Sequence, residues 1–239
     1  MDPLDNPIFN ALGTCQAHFA ESYQLLLRFP PEVTPLGGFA ATNEAGFDSL
    51  RDYLASGGAL GILVPARIDA PRGLEIILEG PLLQMILENS SELPAIVKTH
   101  DFIELREADV PEMVALATLT KPGPFGTRTR EMGTYLGIRK DGKLVAMAGE
   151  RMKLPGYTEI SAVCTHPDHL GHGYAGFLMT ILSQRIRARA EVPFLHVRPE
   201  NTRAVQIYER LGFTRRLLYH YAVFRAAKPD EVHTAGMQI

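Results

Sequence analysis

The sequence predicts a mixed α/β protein (α+β, with a mixed sheet), and three observations predict it. Turn residues divide the stretch 133–165 into three consecutive antiparallel strands. From about residue 173 the pattern changes to helix, strand, helix, strand. Before residue 98, short apolar runs accompany one amphipathic helix. The composition agrees: 239 residues, 46% hydrophobic and 21% charged, suit a globular chain with a real core.

The bulk properties also exclude. A formal net charge of −3 argues against a dedicated nucleic-acid partner, whose phosphates call for a strong basic excess. The two cysteines, Cys15 and Cys164, form no CxxC pair, so neither a disulfide framework nor a structural zinc site is expected. The opening MDPLDNPIFN is acidic and lacks the basic and apolar regions of a signal peptide. No window approaches the roughly 18 apolar residues of a membrane span. The expectation is a cytoplasmic protein without a membrane partner.

Each element has its own warrant. Phe47, Leu50, Tyr53 and Leu54 recur at helical spacing after Thr42 and Asn43, and Gly57–Gly58 ends that helix. Ala59–Val64, Leu74–Leu78 and Leu82–Leu87 read as strands, the last two separated by Gly80–Pro81. The polar stretch Glu88–Asp101 reads as a connector, dividing the chain into an N-terminal α/β half (1–97) and a C-terminal domain (98–239). Ile103–Arg106 is a strand, and Asp109, Pro111 and Glu112 mark a helix start. Lys121–Met132 holds two prolines and two glycines and reads as a loop. Strands follow at Gly133–Ile138, Lys143–Met152 and Tyr157–Thr165, turning at Asp141–Gly142 and Pro155–Gly156. Helical spacing returns across Gly173–Ala190; Phe194–Val197 is a strand; Ala204, Ile207, Tyr208 and Leu211 line a second helix between Asn201 and Gly212. Leu217–Phe224 is the last strand.

The chemistry concentrates in His166–Gly176, between a strand and a helix. Gly171 and Gly173 let the backbone lie against a bound group, and the helix that follows offers unpaired N–H groups and a positive dipole end. This combination suits a pyrophosphate. Gly171 to Gly176 also satisfies G-x-G-x-x-G, the dinucleotide fingerprint, so an NAD(P)-binding oxidoreductase is an alternative. A Rossmann fold needs that fingerprint at its first strand–helix turn, with several units after it and an acidic residue on the next strand. Here one crossover helix follows, and the next strand ends at Arg198. His166, His169 and His172 sit in a proline- and glycine-containing loop, so no metal is assigned.

The block EISAVCTHPDHLGHGYAGFLMTILSQRI, with PFLHVRPENTRAVQIYERLGF after it, resembles the GCN5-related N-acetyltransferase (GNAT) superfamily. Within it, the branch with glycine N-acyltransferase-like proteins is the most similar. The resemblance covers roughly Ile103–Arg225 and is sharpest over Glu159–Phe213. It implies the acyl-CoA N-acyltransferase fold, with the N-terminal half as a degenerate copy in one reading. One position departs from the family pattern: Leu170 stands where the turn ordinarily carries Gln or Arg.

The resemblance implies acetyl-CoA (coenzyme A) as co-substrate, with no metal. Its binding residues would be Val163, Cys164, Thr165, Leu170, Gly171, His172, Gly173, Tyr174, Ala175, Gly176, Asn201, Arg203, Ala204 and Tyr208, with Arg198 a further candidate for phosphate. The pantetheine arm would lie in a gap between the strands Tyr157–Thr165 and Phe194–Arg198. The N–H of Val163 would polarise the thioester carbonyl. Glu159, at even spacing from Ser161 and Val163, is the candidate base for a primary amine that attacks directly through a tetrahedral intermediate. Tyr208 is the candidate acid for the leaving thiolate. Cys164 reads as a packed strand cysteine, not a nucleophile, because Pro167 ends its strand at once. The expected partner is a small-molecule amine, an amino acid among the candidates, since Lys121, Arg128 and Arg130 could attract a carboxylate. A monomer or homodimer is expected. A non-catalytic acyl-CoA sensing module on the same fold is the other alternative.

Overall fold

A computed structural model describes residues 2–88 and 99–228. The expected connector lies largely outside the described residues, as does the expected division at residues 97 and 98. The chain opens with helix α1 (Pro7–Gly13), then strands β1 (Glu21–Tyr23), β2 (Leu26–Arg28) and β3 (Gly37–Phe39), which form a small antiparallel sheet. Helix α2 (Glu44–Leu54) follows, started by Asn43, whose Oδ1 accepts from the Gly46 N–H at 3.0 Å. Strands β4 (Leu60–Val64) and β5 (Leu74–Ile86) complete the N-terminal part.

After the gap come β6 (Ile103–Glu104), helix α3 (Val110–Thr120), β7 (Tyr135–Lys140), β8 (Lys143–Leu154) and β9 (Tyr157–Thr165). Helix α4 (Tyr174–Ala188), β10 (Val192–Val197), helix α5 (Thr202–Arg210) and β11 (Thr214–Ala226) close the fold. The second sheet has eight strands in the order β4-β11-β5-β10-β9-β8-β7-β6. It is mixed because β9 and β10 pair in parallel, and every other pair is antiparallel. Strands from before and after the gap therefore share one sheet, with β5 between β11 and β10.

Leu74–Leu78 and Leu82–Leu87 are not two strands but one. Gly80 and Pro81 pair with Tyr221 and His220 of β11 and continue the ladder. Proline is tolerated there because β10 joins β5 only from Leu83 onward, so β5 at Pro81 has a neighbour on one side alone. The hairpin turn at Asp141–Gly142 carries the two positive φ angles that its residues suggest, 50° and 78°.

Helix α4 lies on the sheet over β8, β9 and β10, burying Leu178, Met179, Leu182 and Ile186 completely. On another face, Leu4, Ile8 and Leu12 of the N-terminal segment pack with Met152, Leu154 and Phe194. Each such side chain contributes on the order of 1.5–3 kcal/mol of burial, so residues 4–12 are integral to the core. Among the described residues, no helix is long and apolar enough to cross a membrane.

Candidate active site

The central feature is a place where the sheet opens. Strands β9 and β10 pair at Tyr157–Val192, Thr158–Pro193 and Glu159–Phe194, and their pairing ends there. Beyond it, Ile160–Thr165 and Leu195–Arg198 splay apart and leave backbone N–H and C=O groups facing a gap. A bulge sharpens the opening. Ser161 pairs with Gly149 and Cys164 with Met147, so two residues of β9 oppose one of β8, and Ala162 adopts φ 53°.

One mouth of the gap leads to the glycine turn. Gly171 and Gly173 have φ 85° and 82°, left-handed conformations that L-residues rarely take. Gly173 caps α4, and the Phe177 N–H bonds back to its carbonyl at 3.0 Å. The N–H groups of Tyr174, Ala175 and Gly176 thus begin the helix with no acceptor inside it. A Cβ built on Gly171, Gly173 or Gly176 would meet nothing within 4 Å, so an open cradle lies beside this backbone. The donors and the dipole fit a pyrophosphate. The groove here, about 510 Å³, is lined by Val163, Cys164, Thr165, Leu170, Gly171, Gly173, Tyr174, Ala175, Gly176, Asn201, Arg203, Ala204 and Tyr208. His172 is outside this lining and stacks on Tyr174, ring centroids 5.3 Å apart. Asn201 caps α5 through the Ala204 N–H at 3.2 Å and also faces the groove.

The other mouth opens into a cavity of about 360 Å³ that shares Val163, Cys164, Thr165, Asn201, Ala204 and Tyr208 with the groove. Tyr208 thus faces both. Burial pushes its phenol up to about 12, with Cys164 adding to the effect. Burial likewise pushes the Cys164 thiol up to about 11, against the lowering effect of the neighbouring Thr120 and Met147. A thiol so protonated at neutral pH is a poor nucleophile.

Glu159 is placed differently from Ser161 and Val163, which line the cavity. Regular alternation predicts one shared face, and what separates Glu159 from the cavity is its cover: Arg151 and His196, which line the cavity themselves, lie on its carboxylate. The Glu159 side chain is fully buried and held at both oxygens. Arg151 donates to it through Nε and Nη2, each at 2.7 Å, and His196 Nδ1 lies 2.8 Å from Oε1. Burial alone would raise its pKa; the Arg151 guanidinium and the hydrogen bonds from Arg151 and His196 outweigh burial and hold it at about 2.

Sequence reasoning missed this network, because no local motif marks it. Arg216 donates to Gln84 Oε1 at 2.8 Å, which orients the Gln84 amide. Its nitrogen then donates to the Leu4 carbonyl and to His196 Nε2, both at 3.2 Å. His196 must therefore carry its proton on Nδ1 and donate it to Glu159. Arg216 also pairs with Asp2 and Asp5, at 2.9 and 2.6 Å. A chain of polar contacts so runs from the N-terminal segment to Arg151 and His196 in the cavity wall.

The basic loop residues separate. Lys121 lines the cavity. Arg128 is exposed and held by Glu131 through two hydrogen bonds of 2.9 and 2.8 Å, and Arg130 donates to the Leu105 carbonyl at 3.2 Å. Arg203 faces the groove of the glycine turn, whereas Arg198 faces the cavity instead. Among the described residues, no group of three or more His, Cys, Asp or Glu could hold a metal ion.

Comparison with known proteins bears on this site. Residues 135–222, which hold the splayed strands, the turn and both helices, match the family described as FR47-like protein. A solved structure from Novosphingobium aromaticivorans, assigned to the GNAT family of acetyltransferases, is 35% identical; the match covers 95% of this chain and 100% of that one, with a TM-score of 0.87. A GCN5-related N-acetyltransferase from Kribbella flavida shares the fold at 17% identity and TM-score 0.61, over 92% of this chain and 96% of that one. Among curated proteins none matches. On the likeness to the first structure over nearly its whole length, this chain belongs to the GNAT family of acyltransferases.

Proposed function

We propose that the protein transfers an acetyl group from acetyl-CoA to the primary amine of a small molecule, by direct attack. The observation that carries this reading is the opening between β9 and β10, which joins the glycine turn to the cavity past Tyr208. The cradle at Gly171–Gly176 would take the pyrophosphate, and the unpaired edge at Val163–Thr165 the pantetheine amides. Acetyl-CoA supplies the activated acyl group. The Val163 N–H is a fixed donor for the carbonyl oxygen as negative charge builds there, an arrangement worth several kcal/mol of barrier. Tyr208 stays protonated at working pH and donates its O–H towards the departing sulfur. The protonated Cys164 supports direct transfer over an acyl-enzyme.

Glu159, bound on both oxygens, is read as positioning Arg151 and His196 instead of taking the amine proton. The amine then enters neutral or loses its proton to water, so kcat/KM rises with pH towards the amine's own pKa. An amino acid as acceptor is in keeping with the resemblance to glycine N-acyltransferase-like proteins.

The test is calorimetric titration with acetyl-CoA, followed by thiol release with a panel of amines. Absence of acetyl-CoA binding would sink the proposal. A sensing module is the second reading, favoured by Leu170, which lies 47% exposed in the groove where a polar side chain would help hold phosphate. It predicts binding without thiol release.

A further inference from the structure

The cavity beyond Tyr208 has a charge pattern that narrows the acceptor. Its charged lining residues are Lys121, Arg151 and Arg198, and among the described residues no Asp or Glu lines it. Arg151 is neutralised by Glu159 behind the wall. Lys121 and Arg198 form no ion pair among the described residues and are exposed at the cavity rim. The Arg198 guanidinium lies beside Gly80, where a Cβ would fall 3.1 Å from its Nη1, and Gly80 pairs with Tyr221, which also lines the cavity. A polyamine would therefore find two uncompensated cations and no acid to hold its ammonium groups, whereas an anion would find a complementary field.

Another part of the lining is apolar and comes from four separate N-terminal segments. Ile8 of α1, Leu36 just before β3, Leu63 of β4 and Leu82 of β5 face the same cavity. Ile8 and Leu36 are 1% and 5% exposed and set in the core, and Leu63 and Leu82 are half-buried beside the cavity. An apolar group seated there gains burial.

We propose that the acceptor is an amine bearing both a carboxylate and an apolar group, as in an α-amino acid with a branched aliphatic side chain. Arg198 and Lys121 take the carboxylate. Ile8, Leu36, Leu63 and Leu82 take the side chain, and the amine faces the opening at Val163. Glycine, with nothing to fill the apolar wall, is a poor acceptor. This inference rests on the acetyl-transfer reading for its chemistry, but binding alone can test it.

Leucine, glycine, leucinamide, isopentylamine and spermidine are compared as acceptors by thiol release, and as ligands of the CoA-saturated protein by calorimetry. Leucinamide has the weaker base and so the larger neutral fraction; its disadvantage isolates the carboxylate. Leucine is expected to exceed leucinamide and isopentylamine by about tenfold or more in kcat/KM and in affinity. It should exceed glycine by a similar factor, and spermidine should not bind. Arg198→Gln should raise the KM for leucine by about tenfold, and close most of the gap to leucinamide, with the acetyl-CoA Kd unchanged. Equal or better binding of leucinamide, isopentylamine or spermidine overturns the proposal. So does a gain from longer acyl donors without discrimination among acceptors, which would assign the apolar wall to the acyl chain. If acetyl-CoA neither binds nor releases thiol, the acetyl-transfer reading fails, and the calorimetric ranking of the five ligands on the protein alone still decides the acceptor class.

Discussion

The two ends of the active groove are built by different means. The glycine-turn end is centred on residues close in sequence, His169–Gly171 and Gly173–Gly176, with the end of β9 and one face of α5 added. The cavity end is made of residues from α1, β4, β5, β8, β9, β10, α5 and β11, and from the loop after α3. A site centred on near neighbours is written largely in one stretch of sequence. A site of convergent residues exists only once the sheet has formed. The comparison separates substitutions that disturb donor binding from those that disturb the wall opposite it.

The largest effect is expected at the ion pair behind the cavity wall. Glu159→Gln leaves Arg151 buried without its countercharge and should cost about 3–5 kcal/mol of stability in denaturant titration. Replacing Arg151 with Met in the same chain should restore much of that loss. Because the folded Glu159 carboxyl lies at about 2, below its unfolded value of about 4.3, its contribution is fully present above pH 5. It is lost as pH falls from there through the folded value. An unfolding midpoint that does not drop over this acid range in the wild type more than in the double variant would remove the pair from the account of stability.

Tyr208→Phe comes next, with turnover expected to fall about a hundredfold while the acetyl-CoA Kd changes little. Equal losses in binding and turnover would make Tyr208 a packing residue. At the donor end, Gly173→Val forces a β-branched residue to φ 82° and should weaken acetyl-CoA about tenfold or more, at roughly 1–2 kcal/mol of backbone strain. Unchanged affinity would move the pyrophosphate elsewhere. The smallest effect is expected from Leu170→Arg. It should tighten acetyl-CoA a few-fold at low ionic strength, corresponding to at most about 1 kcal/mol, and the gain should vanish in high salt.

The same contrast governs what could be read from the chain. Asp141–Gly142, Asn43 and Asn201 act on neighbours within a few residues, so the hairpin and both caps were legible. The glycine turn was legible for the same reason. The continuity of β5 through Gly80–Pro81 was not, because it depends on where β10 stops. His196 and Arg151 gave no signal, since their importance lies in partners 37 and 8 residues away across bulged strands. The short α1 also escaped notice, and with it the placement of Ile8 in the cavity. Glu159 was set on the strand, yet alternation within β9 could not reveal Arg151 of β8 and His196 of β10, which cover its carboxylate.

The seating of the N-terminal segment has a consequence for exchange between relatives. Leu4 lends its carbonyl to Gln84 and Tyr219, and Ile8 and Leu36 supply cavity wall, while the turn at Gly171–Gly176 draws nothing from this segment. Transplanting residues 3–39 from another member of the family should therefore reshape the cavity and leave the glycine turn as it was, so that, on the proposed reading, acceptor preference changes while the acetyl-CoA Kd does not.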